Sequence, residues 1–252
     1  MLATFVLEVY KDEERKEMAS AIQDLIEGDC WSTAGIYCYW DYTTRRPLYI
    51  GLASDLHHRF CQHNGLVRAR KSTCKSVEIS TYFDNNEKLG FSMVLQSSLS
   101  QPFTWKQKKK YKVEANNHDP EYLDGLGEDA LQHIRILEGI TIAASSQLHN
   151  NIPSWNKIGG NKQASLKTEA RHHQLIDLLV NKTVNDNVSR ASLKELDANG
   201  GYRQFECFLH SLRISPFGYN ADMIARYRQM GGDLVIDELE QTNYLQKKLI
   251  LS

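Results

Sequence analysis

Apolar and polar residues alternate loosely over 3–10, the period of a strand. From 11 to 27 the spacing changes: Met18, Ala21, Ile22 and Leu25 recur at helical intervals among charges, and Gly28 and Asp29 close the run. Two short aromatic and β-branched stretches follow, GIYCYW and PLYIG, joined by DYTTRR as a hairpin connection. The next helix takes Ser54 as its N-cap and buries Leu56 and Phe60. SVEISTYF at 76–83 alternates as a third strand. Asn, Gly, Ser and Pro then accumulate, so 84–127 reads as an insertion with little predictable structure. A long helix is expected from about Glu128, with Leu131, Ile134, Leu137, Ile140 and Ile142 on its apolar side, stopping near His149 at the breaker-rich NNIPSWNKIGG. Beyond the glycine pair 159–160 the pattern is helical, over 165–180, 190–197, 201–213, 220–229 and 238–250.

The pattern amounts to an α+β protein: a small antiparallel three-stranded sheet flanked by helices, an insertion, and a mostly α-helical C-terminal region. Three segments are expected: an N-terminal extension (1–30) packing on or near the core, a core (31–160), and a helical region (161–252) serving DNA recognition or oligomerisation. Composition leaves this picture intact, since 252 residues with 41% hydrophobic and 24% charged content are ordinary for a globular chain. No apolar run reaches the roughly 18 residues that span a bilayer. The first residues lack the basic lead and cleavage site of a signal peptide, so a cytoplasmic location with no membrane partner is expected. Five scattered cysteines without a CxxC pair read as free thiols and offer no structural zinc site.

Charge changes the picture more. The net value is −1, but residues 31–112 hold thirteen bases and five acids, between flanks that are strongly acidic. A polyanion responds to the local field, so this segment is either a phosphate-facing surface or a solvated basic face.

The hairpin and the helix after it read GIYCYWDYTTRRPLYIGLASDLHHRFCQH: GIY at 35–37, YIG at 49–51, then Arg59 and His63 on one helix. Glu138 follows within RILEGITIAA and Asn156 within SWNKIGG. Over roughly 32–160 the chain resembles the GIY-YIG nuclease family. The resemblance implies a metal-dependent DNA endonuclease with Tyr37, Tyr49, Arg59, His63, Glu138 and Asn156 in its active site, leaving 5′-phosphate and 3′-hydroxyl ends. It also implies restriction-type, homing-type, phage-encoded or repair-type variants. A site-selective enzyme of restriction or phage-related kind is favoured here, because zinc-finger cysteines and small tandem modules are absent from the sequence.

The residue types suit that chemistry. Symmetry of the hairpin about Thr43 makes Tyr37 and Tyr49 cross-strand neighbours. A free phenol has a pKa of about 10, so nearby positive charge is needed before one acts as a base. Arg59 and His63, at i,i+4, share a helical face; the guanidinium forks onto a phosphate and the imidazole relays a proton with Tyr37. Glu138 is the expected metal ligand, one carboxylate with water suiting a single Mg²⁺ or Mn²⁺ per active site. Asn156 either bonds a phosphate or braces the hairpin. His57 and His58 face different directions, so at most one belongs to the site and neither to a metal.

Arg45, Arg46, Arg68, Arg70, Lys71, Lys108, Lys109 and Lys110 are the candidate DNA contacts, with Trp105 and Tyr111 as stacking groups in the run KQKKKYK; a solvated loop is the rival reading of that run. SRASLKELDANGGYRQFECFLHSLR is either a helix-turn-helix or an ordinary helical core, and a homodimer contact is equally open. Double-stranded DNA is the expected partner. A binding protein on an inactivated core is the alternative class.

Overall fold

Four strands, not three, form the sheet of this α+β protein, and the third strand is not the segment whose alternation suggested it. The structure, a computed structural model, describes residues 3–28, 31–70, 74–97, 120–183, 185–213 and 223–251. Strand β1 (Thr4–Tyr10) leads through a 3-10 turn into α1 (Arg15–Gly28). The expected hairpin of β2 (Trp31–Asp41) and β3 (Arg46–Ala53) follows, then α2 (Leu56–His63), α3 (Ser76–Phe83) and β4 (Leu89–Ser97). After it come the long α4 (Pro120–His149), α5 (Lys162–Leu166), α6 (His173–Leu179), α7 (Leu193–Ala198), α8 (Gly200–Arg213), α9 (Met223–Gln229) and α10 (Asp233–Gln241). The strand order is β1-β4-β2-β3, with every neighbouring pair antiparallel.

Residues 76–83 are helical because the apolar positions that matter there are Ile79, Tyr82 and Phe83, three and four apart. Ile79 is buried, whereas Val77, which a strand would put on the same face, is 70% exposed. The true third strand lies in the stretch read as an insertion. In β4, Leu89, Phe91, Met93 and Leu95 line one face, and on the other Gly90 and Ser92 are small because of Trp40, while Val94 is apolar. A Cβ at Gly90 would stand 2.1 Å from the Trp40 ring, and the Trp40 indole donates to Ser92 Oγ at 2.8 Å. Composition hid a central strand whose glycine and serine are packing devices for a buried tryptophan.

Both faces of the sheet are covered. Val6, Tyr10, Tyr37, Tyr39, Phe91 and Met93 pack beneath α1, α2, α7, α8 and α10; Phe5, Leu7, Ile36, Cys38, Trp40 and Val94 pack against α4 and α6. Apolar demand on both faces explains why GIYCYW runs unbroken instead of alternating. The segments set apart as 1–30 and 161–252 share these cores: β1 is a strand of the sheet, and Leu193, Phe205, Leu209 and Ile236 join α1 in one cluster.

Other expectations move as well. The α2 cap is Asp55, not Ser54, its carboxylate accepting His58 N–H at 2.8 Å. The helix expected over 165–180 is interrupted at Glu169, which is extended, and that over 238–250 ends by Gln241. Cys38, Cys61 and Cys74 are free thiols, but Cys207 is disulfide-bonded, against the expectation of free thiols throughout. No helix among the described residues is long and apolar enough to cross a membrane.

Candidate active site

The free edge of β3 organises the cleft. Alternate residues of that strand turn their backbone groups away from β2, and unpaired edge groups demand partners. Here side chains and a loop supply them. Trp155 N–H donates to Leu48 C=O at 2.8 Å. The Asn156 amide accepts Ile50 N–H at 2.9 Å and donates to Ile50 C=O at 2.8 Å. The Glu138 carboxylate, from α4, accepts Leu52 N–H. Asn156, left between phosphate contact and bracing, spends both amide atoms on bracing. Both distant residues are fixed to the YIG strand by backbone geometry.

The hairpin register differs from symmetry about Thr43. Tyr37 pairs with Gly51 and Tyr39 with Tyr49, because the turn centres between Thr43 and Thr44, with Asp41 opposite Arg46, and a register shift after Tyr39 takes up one residue more. Tyr37 and Tyr49 are therefore diagonal neighbours, their ring centroids 5.8 Å apart. Gly51 makes room for them: a Cβ there would lie 2.7 Å from the Tyr49 ring and 2.8 Å from the Tyr37 hydroxyl. The glycine of the YIG triplet is required by the two tyrosines that pack over it.

On α2, Leu56 and Phe60 face the core, which turns Arg59 and His63 toward the phenols. Arg59 Nε donates to Tyr37 Oη at 3.2 Å, and its guanidinium also hydrogen-bonds Tyr49. His63 is fully buried, with Nε2 2.7 Å from the same Tyr37 oxygen. Its other nitrogen, Nδ1, accepts Lys75 N–H at 2.9 Å. Nδ1 is thus the acceptor, and in the neutral ring Nε2 carries the proton and donates to Tyr37. Burial, with Arg59 and Lys75 nearby, lowers the imidazole pKa to about 3. His63 is therefore a fixed donor to Tyr37, where a proton relay was expected from sequence.

Tyr37 receives hydrogen bonds from Arg59 and His63, and it is also hydrogen-bonded to Tyr49. Burial and the neighbouring Tyr49 hold its phenol well above the ordinary range, with Arg59 opposing. Burial also raises the half-buried Glu138 carboxyl, against the Leu52 amide and Arg135.

These elements enclose a cleft of about 290 Å³ whose wall includes Tyr49, Arg59, Lys75, Glu138, Asn156 and Lys157. Tyr37 and His63 lie behind that wall. All six expected site residues are thus brought together, in two layers. Lys75 and Lys157 escaped the sequence reading. Recognising 76–83 as a helix would have set Lys75 at its cap and made its backbone N–H one of the free amides there.

Among the described residues, the candidate DNA contacts Arg45, Arg46, Arg68 and Arg70 are not part of the cleft wall. Arg45, at φ 54° in the hairpin turn, stacks on Trp40 and Tyr42 with its guanidinium carbon 4.8 and 4.9 Å from their rings. Arg46, Arg68 and Arg70 are exposed. Lys71, Lys108, Lys109 and Lys110, with Trp105 and Tyr111, lie outside the described residues.

Glu138 offers a metal one hard oxygen donor, and no cluster of three or more His, Cys, Asp or Glu suited to a metal occurs among the described residues. Comparison of the chain with family models, with curated proteins and with solved structures returns no significant match.

Proposed function

We propose that this chain is a GIY-YIG-type, divalent-metal-dependent endonuclease acting on phosphodiesters of double-stranded DNA. The observation that carries the reading is the convergence of Tyr49, Arg59, Glu138 and Asn156 on one cleft, with Tyr37 and His63 hydrogen-bonded behind it. Those residues come from the two hairpin runs, the next helix and two segments that lie far along the chain, at Glu138 and Asn156. Chance tripeptides give no reason for such a meeting.

The cleft suits an anion. Among the described residues of its wall, Arg59, Lys75 and Lys157 stand with one carboxylate, that of Glu138. Glu138 would hold a Mg²⁺ or Mn²⁺ ion, and the donor chemistry fits: one carboxylate, already fixed through Leu52 N–H, with room for water and phosphate oxygens. When bound, such an ion supplies positive charge that polarises the phosphate and eases departure of the leaving oxygen. Arg59 binds the phosphate through its fork and meets charge that grows during attack. Tyr49, in the cleft wall, first gives its hydroxyl proton to solvent, and the phenolate, held by the Arg59 guanidinium, then takes the proton of the attacking water. Tyr37 and His63 hold Arg59 and Tyr49 in place from behind, so the site is pre-organised.

Site-selective cutting of restriction or phage-related kind remains part of the proposal. The test is cleavage of supercoiled plasmid with Mg²⁺ by the native protein and by Glu138→Ala. The native protein should yield nicked or linear DNA, in discrete fragments if it is site-selective. The variant should lose at least about a thousandfold in rate while still binding duplex. Tight binding by the native protein without cleavage in Mg²⁺ or Mn²⁺ would favour a binding protein on an inactivated core instead.

A further inference from the structure

Lys75 is 5% exposed, although lysine is rarely buried unless paired. Its carboxylate partner is Glu78, with Nζ 3.0 Å from Oε1, and the Glu78 side chain is itself 32% exposed. Such a partner compensates a buried ammonium only in part, because solvent screens it. The Nζ also lies 5.2 Å from the centroid of the Tyr49 ring, within cation–π reach, and Lys75 forms part of the wall that includes Arg59 and Glu138. Its main chain belongs to the site as well, since Lys75 N–H fixes the His63 tautomer. One residue thus orients the buried imidazole through its backbone and brings a charge to the cleft through its side chain.

An ammonium has three donors, and the ion pair with Glu78 uses one. Buried charge at a cleft wall costs desolvation that an arriving anion recovers. Arg59 stands in the same wall but is committed to both phenols and to Gln62, at 2.9 Å. Lys75 therefore adds further donors to the wall beside Arg59, on a buried ammonium already placed there.

We infer that Lys75 is a second phosphate-binding catalytic residue, its ammonium holding a non-bridging oxygen of the scissile phosphate beside Arg59 during hydrolysis. This rests on the nuclease reading above. Glu78 keeps the side chain in place in the free protein and does not itself meet the substrate.

Both Lys75→Gln and Glu78→Gln break the same ion pair, but only the first removes the ammonium from the cleft. Plasmid cleavage in Mg²⁺ with saturating enzyme, together with kcat and KM on a duplex taken from a cleaved site, compares them. Lys75→Gln should lower kcat about 100-fold with KM within about threefold of the native value, the pattern of a contact made in the transition state. Lys75→Arg should restore about tenfold of that loss by returning the charge. Glu78→Gln leaves the ammonium in the cleft with an amide oxygen to accept from it, so its loss in kcat should be at least about tenfold smaller than that of Lys75→Gln. Equal losses in Lys75→Gln and Glu78→Gln, in step with falling melting temperatures, would make Lys75 a structural ion-pair partner and overturn the inference. Native-like turnover of Lys75→Gln beside an active native enzyme would overturn it alone. A native protein that cuts no DNA would overturn the nuclease reading and this inference together.

Discussion

Two regions of the molecule bury charged and hydroxyl groups next to a cavity, and only one has the makings of a catalytic site. At the β3 edge, Arg59, Lys75 and Glu138 meet two tyrosines at a cleft of about 290 Å³. Across the fold, Glu206 accepts hydrogen bonds from Arg190 N–H at 3.2 Å and Tyr244 O–H at 3.0 Å, beside a cavity of about 200 Å³ between the 181–190 loop and residues 245–249. Burial and a neighbouring carboxylate raise the Tyr244 phenol, much as burial raises Tyr37. Perturbed ionisation therefore does not separate the two. The difference lies in how charge is distributed. In the second region, Glu206 is fully buried and its hydrogen bonds tie α8 to the 190 segment and the chain near 244. Among the described residues, both walls set three cations against one carboxylate. Beside the second cavity, however, Arg190 pairs with buried Glu206 and Lys247 with Glu195. The groups behind Arg59 are instead the neutral Tyr37 and His63, which aim it. Buried polarity closed on itself holds a fold together, whereas a cation aimed at a cleft by neutral groups can bind a ligand.

The sharpest way to break this contrast is to remove one group from each region. Arg59→Ala should lower turnover about 10²–10³-fold while duplex binding changes by about threefold or less. Glu206→Ala should do the reverse: stability falls by about 3 kcal/mol as Arg190 and Tyr244 lose a buried acceptor, with turnover of the folded protein near native. Denaturant melts and single-turnover cleavage on both variants decide it. Equal loss of affinity and turnover in Arg59→Ala would leave it a backbone contact only. A catalytic defect in folded Glu206→Ala would erase the distinction between the regions.

A smaller effect sharpens the roles inside the site. His63 keeps a pKa of about 3 in the fold against an ordinary 6.5. A histidine depressed in the folded state contributes stability that is fully present above pH 6.5. That contribution is lost as pH falls toward 3, because only the unfolded chain takes up the proton. Between pH 6.5 and 5 the native protein should lose roughly 2 kcal/mol through this group. Melts of His63→Gln should show a correspondingly flatter pH dependence over that interval. An unchanged slope would mean that the folded imidazole is protonated, and the role of Nδ1 as acceptor of Lys75 N–H would fall.

How much of this was legible in sequence follows from where the information sits. The hairpin and α2 were readable because two-faced burial wrote continuous apolar runs and an i,i+4 pair into adjacent residues. Glu138 and Asn156 were nameable only through the order of motifs; their attachment to Leu52 and Ile50 is a property of the strand edge, which no local pattern encodes. Strand β4 was lost because its Gly90 and Ser92 answer to Trp40, some fifty residues away. Lys75 was lost with the misreading of α3. The two-layer division of the site, with Tyr49 in the wall and Tyr37 behind it, depends on a register shift after Tyr39 that the turn sequence did not reveal.

The smallest expected effect tests whether Glu138 acts without a second carboxylate. Helix α2 carries Arg59 and His63, and the acid at its start is Asp55, bonded to His58 N–H as the cap. Asp55→Ala should cost about 1 kcal/mol of stability and lower turnover about twofold by loosening the first turn. Asp55→Ser, which keeps a cap oxygen and removes the charge, should recover both. If Asp55→Ser instead lost more than about tenfold in turnover at native stability, the charge and not the cap would be the contribution. Asp55 would then have to be counted with Glu138 as a metal-holding group. Recovery in the serine variant leaves Asp55 a helix cap and keeps the cleft a one-carboxylate site, its positive charge supplied by Arg59 and Lys75.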